Sequence, residues 1–123
     1  MANVIREPVH TGEFLLSEAN GHRSRSQVTL ARHSQTYASG TVLAQIDASH
    51  IFARHTPGAE DGTGTARAVL YAAVDATEGD RPAVVIDADA EVNGQLLAWA
   101  EGITGAEQAA AIADLKTAGI KVR

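Results

Sequence analysis

Apolar and polar positions alternate over several short stretches of this chain, and one stretch near its end carries a helical period. Residues 26–31 alternate with a period of two, which predicts a short strand. Residues 40–46 predict a second strand, reached through Ser39 and Gly40, and residues 66–74 are apolar between two turn-rich stretches and read as a third. The clearest strand pattern covers residues 83–92. There Val84, Ile86, Ala88, Ala90 and Val92 fall on one face, and Val85, Asp87, Asp89 and Glu91 on the other. Residues 47–65 are polar and glycine-rich and are expected to be loop, residues 78–82 form a connecting turn, and residues 96–100 are apolar but too short to assign. The helical signal follows. Thr104 and Glu107 have capping-box spacing, Ala109, Ile112, Ala113 and Leu115 form the expected buried stripe, and Gly119 stands where a left-handed cap would end the helix. Residues 120–123 are then a brief closing strand.

The first 26 residues read differently. Pro8, Gly12 and Gly21 punctuate them, and their apolar residues come in small groups that fit no helix: Val4 and Ile5, then Val9, then Phe14, Leu15 and Leu16. Chain ends are commonly disordered, yet Phe14–Leu16 are too apolar for a purely solvated tail. An extended arm that orders against a partner accounts for both features.

Composition narrows what such a chain can do. Its 123 residues suit one domain, and no internal repeat divides them. Hydrophobic residues make up 45%, but there are only two Phe, two Tyr, one Trp and one Met, so the core is built largely from small side chains and contact with other subunits would help it. With no cysteine, disulfides, cysteine zinc sites and thiol chemistry are excluded. No stretch approaches the roughly 20 apolar residues needed to span a bilayer, and no signal peptide is visible, so synthesis in a cytoplasm is expected. The net charge is −5. Residues 1–33 carry four Arg against three Glu, and residues 34–123 carry six basic and twelve acidic side chains. An acidic body repels phosphate backbones, so neither nucleic acid nor membrane is an expected partner.

Several patterns invite a chemical reading and meet a plainer one. Gly62-Thr63-Gly64 is a fragment of a phosphate loop, but position 67 is Arg and the segment precedes a strand, so a flexible turn is the better reading. Asp87, Asp89 and Glu91 could present oxygen ligands to a hard cation, but they lack the spacing of a calcium loop; a solvated acidic face is preferred. His10, His22, His33, His50 and His55 include no pair at i, i+4 and read as surface or arm histidines. Ser49 and His50 lie close to Asp47, but there is no nucleophile elbow, and a triad is recognised by geometry rather than adjacency. No residue is assigned a catalytic, metal-ligating or cofactor-binding role.

The ordered set Gly40-Thr41-Val42-Leu43, Gly62-Thr63-Gly64 leading into residues 68–77, Ala83-Val84-Val85-Ile86, Ala90-Glu91-Val92-Asn93, and Leu115 followed by Gly119-Ile120-Lys121-Val122-Arg123 resembles the lambda-type head decoration proteins of tailed bacteriophages. Order and spacing match over residues 27–123. Residues 13–18, with Asn20 and Gly21 before residues 24–30, also look like longer members of that family. The resemblance implies a mainly β body of the β-clip kind with one or two short helices, so a small α+β body carrying an extended N-terminal arm. It implies trimers on the outer surface of the expanded virion head, bracing the shell against packaged DNA, and an arm that adds a strand to the major capsid protein. It implies no enzymatic activity and no cofactor.

The expectation is therefore a homotrimeric capsid decoration protein made in the host cytoplasm, with residues 1–26 as capsid-binding arm and residues 27–123 as compact domain. Asn3, Val4, Ile5, Arg6, Glu7 and Val9 are the candidates for strand addition, and Phe14, Leu15 and Leu16 for a hydrophobic anchor. Pro8 cannot donate to a ladder and would sit at an edge. Removing residues 2–16 is expected to leave a folded trimer that no longer binds the shell. The alternatives are another virion module, of tail or fibre, and a small metal-dependent hydrolase using Asp87, Asp89, Glu91 and histidines.

Overall fold

The computed structural model describes residues 10–19 and 23–123. Among them are eight strands and one α-helix: β1 Leu15–Glu18, β2 Arg25–Leu30, β3 Val42–Gln45, β4 Phe52–Arg54, β5 Ala68–Leu70, β6 Arg81–Ile86, β7 Ala90–Val92, α1 Gly105–Thr117 and β8 Ile120–Val122, with a 3-10 turn at Gly94–Leu96. The body is mainly β, in two sheets, with small α+β character as expected. Five strands close into a barrel in the order β2-β4-β3-β5-β6, and three form an open sheet in the order β1-β7-β8. Barrel pairings are antiparallel except β2 with β4, which meet in parallel at Leu30 and Phe52.

The barrel strands follow from alternation, with one twist. In β2, Leu30 is buried and Val28 partly so, while Gln27 and Thr29 are wet. In β3 and β5, and at Ile86 in β6, the outward positions are also covered. Leu43, Ala68, Leu70, Ala83 and Val85 point into the barrel core with Tyr37 and Phe52. Val42, Val69 and Ile86 point the other way, into a second core shared with Phe14, Val92, Leu97, Ala111, Leu115 and Ile120. Strands buried on both faces read as continuous apolar runs rather than clean alternation, as Val42-Leu43-Ala44 and Ala68-Val69-Leu70 do.

Three sequence expectations change. The single strand at 83–92 is two strands in different sheets, separated at residues 87–89, where Asp89 takes a left-handed backbone (φ 46°) and Asp87 N donates to Ser24 O. Its phase changes too: Val85 is buried and Val84 is 41% exposed. The stretch 47–65 contains β4, which pairs with β3 through Leu43↔Arg54 to Gln45↔Phe52. Residues 81 and 82, assigned to a turn, begin β6 and pair with Leu30 and Thr29. The helix forms where expected, with both halves of the Thr104–Glu107 capping box and Gly119 at φ 96°. Its buried stripe is Ala111 and Leu115, with Ile112 half-buried and Ala109 and Ala113 exposed. β8 closes the chain as expected, parallel to β7.

Candidate attachment surface

The chain joins the body at His10–Glu13, on the seam between barrel and open sheet. Gly12 N donates to Tyr71 O at 3.1 Å, Glu13 N to His10 O at 2.9 Å, and Leu15 N to Gly12 O at 3.0 Å. Gly12 has φ 70°, and a Cβ there would meet Tyr71 Cε1 at 2.9 Å, so this tight turn requires glycine. The Ser39 hydroxyl donates to Tyr71 O at 2.8 Å and lies 3.3 Å from His10 O. The turn at Gly12 is therefore held at a fixed point of the body.

β1 then pairs antiparallel with β7, with a register shift between Leu15 and Ser17. Phe14 is fully buried in the second core, Leu15 is half-buried opposite Val92, and Leu16 is 51% exposed. The expected anchor triplet thus divides: Phe14 holds the chain to its own body, and Leu16 faces outward. Asn3, Val4, Ile5, Arg6, Glu7 and Val9 lie outside the described residues. Residues 15–18, expected to be arm, are a strand of the body.

One ion pair ties the two sheets together. Glu18 of β1 receives the guanidinium of Arg25 of β2, with Arg25 Nε 3.0 Å from Oε2, and the Ser24 hydroxyl donates to the same carboxylate. The hydrogen bond to Glu18 holds the Arg25 pKa above its ordinary value, against the opposing effect of burial. Arg25 also stacks on the Tyr71 ring, 4.1 Å from its centroid. Forked geometry and an aromatic face suit arginine and not lysine.

The other candidate groups are dispersed. Asp87 and Asp89 sit in the turn between sheets, and Glu91 lies on β7, where Arg123 Nε and Nη2 donate to it at 3.1 and 3.0 Å. That contact lowers the Glu91 pKa. The three carboxylates do not share a strand face, which removes the geometric basis of the hydrolase alternative. Among the described residues no three His, Asp or Glu side chains converge as a metal site, and no helix is long and apolar enough to cross a membrane. His33 Nδ1 accepts from Gln35 N at 3.1 Å, and His50 takes a left-handed backbone at φ 62°.

His55 departs from the surface reading, being 3% exposed. Its Nε2 lies 3.2 Å from Gly64 O, so Nε2 carries the hydrogen, and Nδ1 has no hydrogen-bond partner. It lines an open cleft of about 310 Å³ with Arg54, Glu101 and Glu107. Glu107 is committed to the helix cap. The Gly62–Gly64 segment is a packed loop rather than a flexible one. Asp61 accepts from Thr63 N and Oγ1, Thr63 is buried, and a Cβ at Gly62 would lie 2.4 Å from Gln45 O.

The family model of the bacteriophage lambda head decoration protein D matches residues 4–120. The chain belongs to that family. Its members are structural proteins of the phage head, and the β-rich body with one helix agrees with such a role. Among curated proteins none matches the chain.

Sequence reasoning missed this fixed turn, because its elements, Gly12, Ser39 and Tyr71, lie far apart in the chain. A glycine ahead of an apolar triplet was the available signal.

Proposed function

We propose that this protein decorates the outer surface of the expanded phage head as a homotrimer and stabilises the shell against the pressure of packaged DNA. The observation that carries this reading is the family match, which runs through nearly the whole chain and begins at Val4, inside the arm. The major capsid protein is the partner, and attachment is by the segment that leaves the body at His10. Asn3, Val4, Ile5, Arg6, Glu7 and Val9 supply main-chain hydrogen bonds and alternate side chains to a capsid strand. Ordering such a segment costs free energy at the moment of binding. Three arms held by one trimer offset that cost through multivalency. Neither a catalytic residue nor a cofactor has a part in this function.

Where the body begins decides how the proposal is tested. Phe14 lies in the second core, so a deletion of residues 2–16 would remove a buried phenylalanine along with the arm and confuse unfolding with lost attachment. A deletion of residues 2–9 spares every described contact. The shortened protein is expected to keep the circular dichroism and melting behaviour of the full chain and to stay in the supernatant when expanded empty heads are pelleted. Pelleting at the full-length level would refute attachment by the arm. Pelleting of the full-length protein with tails rather than heads would favour another part of the virion.

A further inference from the structure

A ring of three identical copies must be joined head to tail. The rotation carries one surface of a copy onto a different surface of its neighbour, so each chain has to present two unlike, complementary patches. The open sheet has two candidates, on opposite sides of β7. On the β1 side Leu16 is 51% exposed, one of two large apolar side chains that stand out in this way among the described residues. Exposed Glu13 lies just before it. On the β8 side a recess of about 500 Å³ opens between the sheet edge, the 3-10 turn and α1, and Trp99, Ile112 and Val122 form its apolar lining. Gln95, Gln108 and Arg123 form its rim. Trp99 is positioned by its indole N–H, which donates to Gly94 O at 3.1 Å.

The charges of the two sides are complementary. On β8, Arg123 stands at the rim of the recess and is paired with Glu91, while Lys121 lies beside the same carboxylate on the strand face away from Val122. Among the described residues of the β1 side, Glu18 is matched by Arg25, and exposed Glu13 adds a further carboxylate. One side therefore offers an apolar projection with a carboxylate, and the other an apolar recess with a guanidinium at its rim. The other exposed apolar side chain, Val84, sits on the outer wall of the barrel between Ser26 and Gln27.

We infer that the recess bounded by Trp99, Ile112 and Val122 receives Leu16 of a second copy of this chain, with Glu13 facing Arg123, and that three such contacts close the trimer. The inference rests on the trimeric reading given above and assigns its contact surface. Buried apolar area at the centre holds the contact, and the rim charges set direction and register.

The chain contains no cysteine, which makes the contact directly testable. The pair Leu16→Cys with Gln108→Cys is bound to expanded heads, pelleted, oxidised and run on a non-reducing gel. Covalent trimers are expected from the double variant and monomers from each single variant. Dimers and nothing larger are expected from an equal mixture of the two singles, because each mixed ring then holds one complementary cysteine contact. The exposed pair Ser17→Cys with Gln95→Cys repeats the test away from the apolar contact and is expected to give the same ladder. Head-bound double variants that remain monomers on the gel would overturn the contact while leaving head binding intact. Dimers from Leu16→Cys alone would overturn it in favour of a two-fold contact. Failure of the wild-type chain to pellet with heads would overturn the functional reading instead.

Discussion

The barrel and the open sheet are built on different principles. The barrel closes on itself, so its strands leave almost no free edge, and its interior is filled by Leu30, Tyr37, Leu43, Phe52, Leu70 and Val85. The open sheet has three short strands, two outer edges and no closure. What stabilises it is the second core, to which the barrel contributes Val42, Val69 and Ile86 from its outer wall. One region is self-contained; the other exists because the first gives it a surface to rest on. A protein that holds its shape while joining neighbours gains from this division, since sheet edges are where further chains attach.

The sharpest way to break this contrast is to empty the shared core. Phe14→Ala should cost about 3–5 kcal/mol, in the range for a buried phenylalanine, and should be read by urea unfolding beside Leu43→Ala in the barrel. Because the two cores share β3, β5 and β6, both variants should still unfold in a single transition. A Phe14→Ala cost below about 1 kcal/mol would mean that β1 is an appendage rather than part of the body. Next in size is the clasp between the regions. Glu18→Gln should cost about 1–2 kcal/mol, a charged hydrogen-bonded pair discounted for its partial exposure. Hydrogen exchange should quicken in β1 and β7 while β3 and β5 stay protected; uniform quickening would show that the regions are not separable.

Thr104→Ala removes the side chain that accepts from Glu107 N and should cost about 1 kcal/mol. The loss should appear as fraying at the start of α1, on the open-sheet side, with the barrel amides unchanged in NMR spectra. The smallest effect spans both regions. Asp61 and Asp75, on barrel loops, are lowered chiefly by the hydroxyls of Thr63 and Thr77, and Glu91, on the open sheet, chiefly by Arg123. A depressed folded-state pKa adds stability that is present above the unfolded value and is lost as pH falls through the folded one. The melting temperature should therefore change little through these groups above about pH 5 and decline below about pH 4. Glu91→Gln should make that decline shallower, and an unchanged acid limb would remove Glu91 from the account.

The barrel was the more legible region. β2 and β3 follow from apolar alternation and from runs buried on both faces, and α1 follows from its capping box. β4 was hidden because three residues with one large side chain, Phe52, give too short a pattern to register. The break between β6 and β7 was hidden by the same alternation that revealed them: Asp87-Ala88-Asp89 continues a period of two in sequence, yet aspartate tolerates the left-handed backbone that lets the chain change sheets. The apolar triplet at residues 14–16 was read in its sign rather than its detail. Phe14, Leu15 and Leu16 were identifiable as too apolar for a solvated tail, but their division between inside and outside depends on β7, more than 70 residues further along. Local patterns carry no record of such pairings.

The order in which the chain leaves the ribosome gives that distance a further meaning. Every barrel strand is complete once Ile86 has emerged, whereas β7 is flanked by β1 from the start of the chain and β8 from its last residues. The open sheet is therefore finished only after Ile120–Val122 have emerged. Until Ile120–Val122 arrive, the second core lacks Ile120 and the β8 edge is missing. A copy lacking Ile120–Val122 would present the barrel without the outer edge of the open sheet and without the recess beside it.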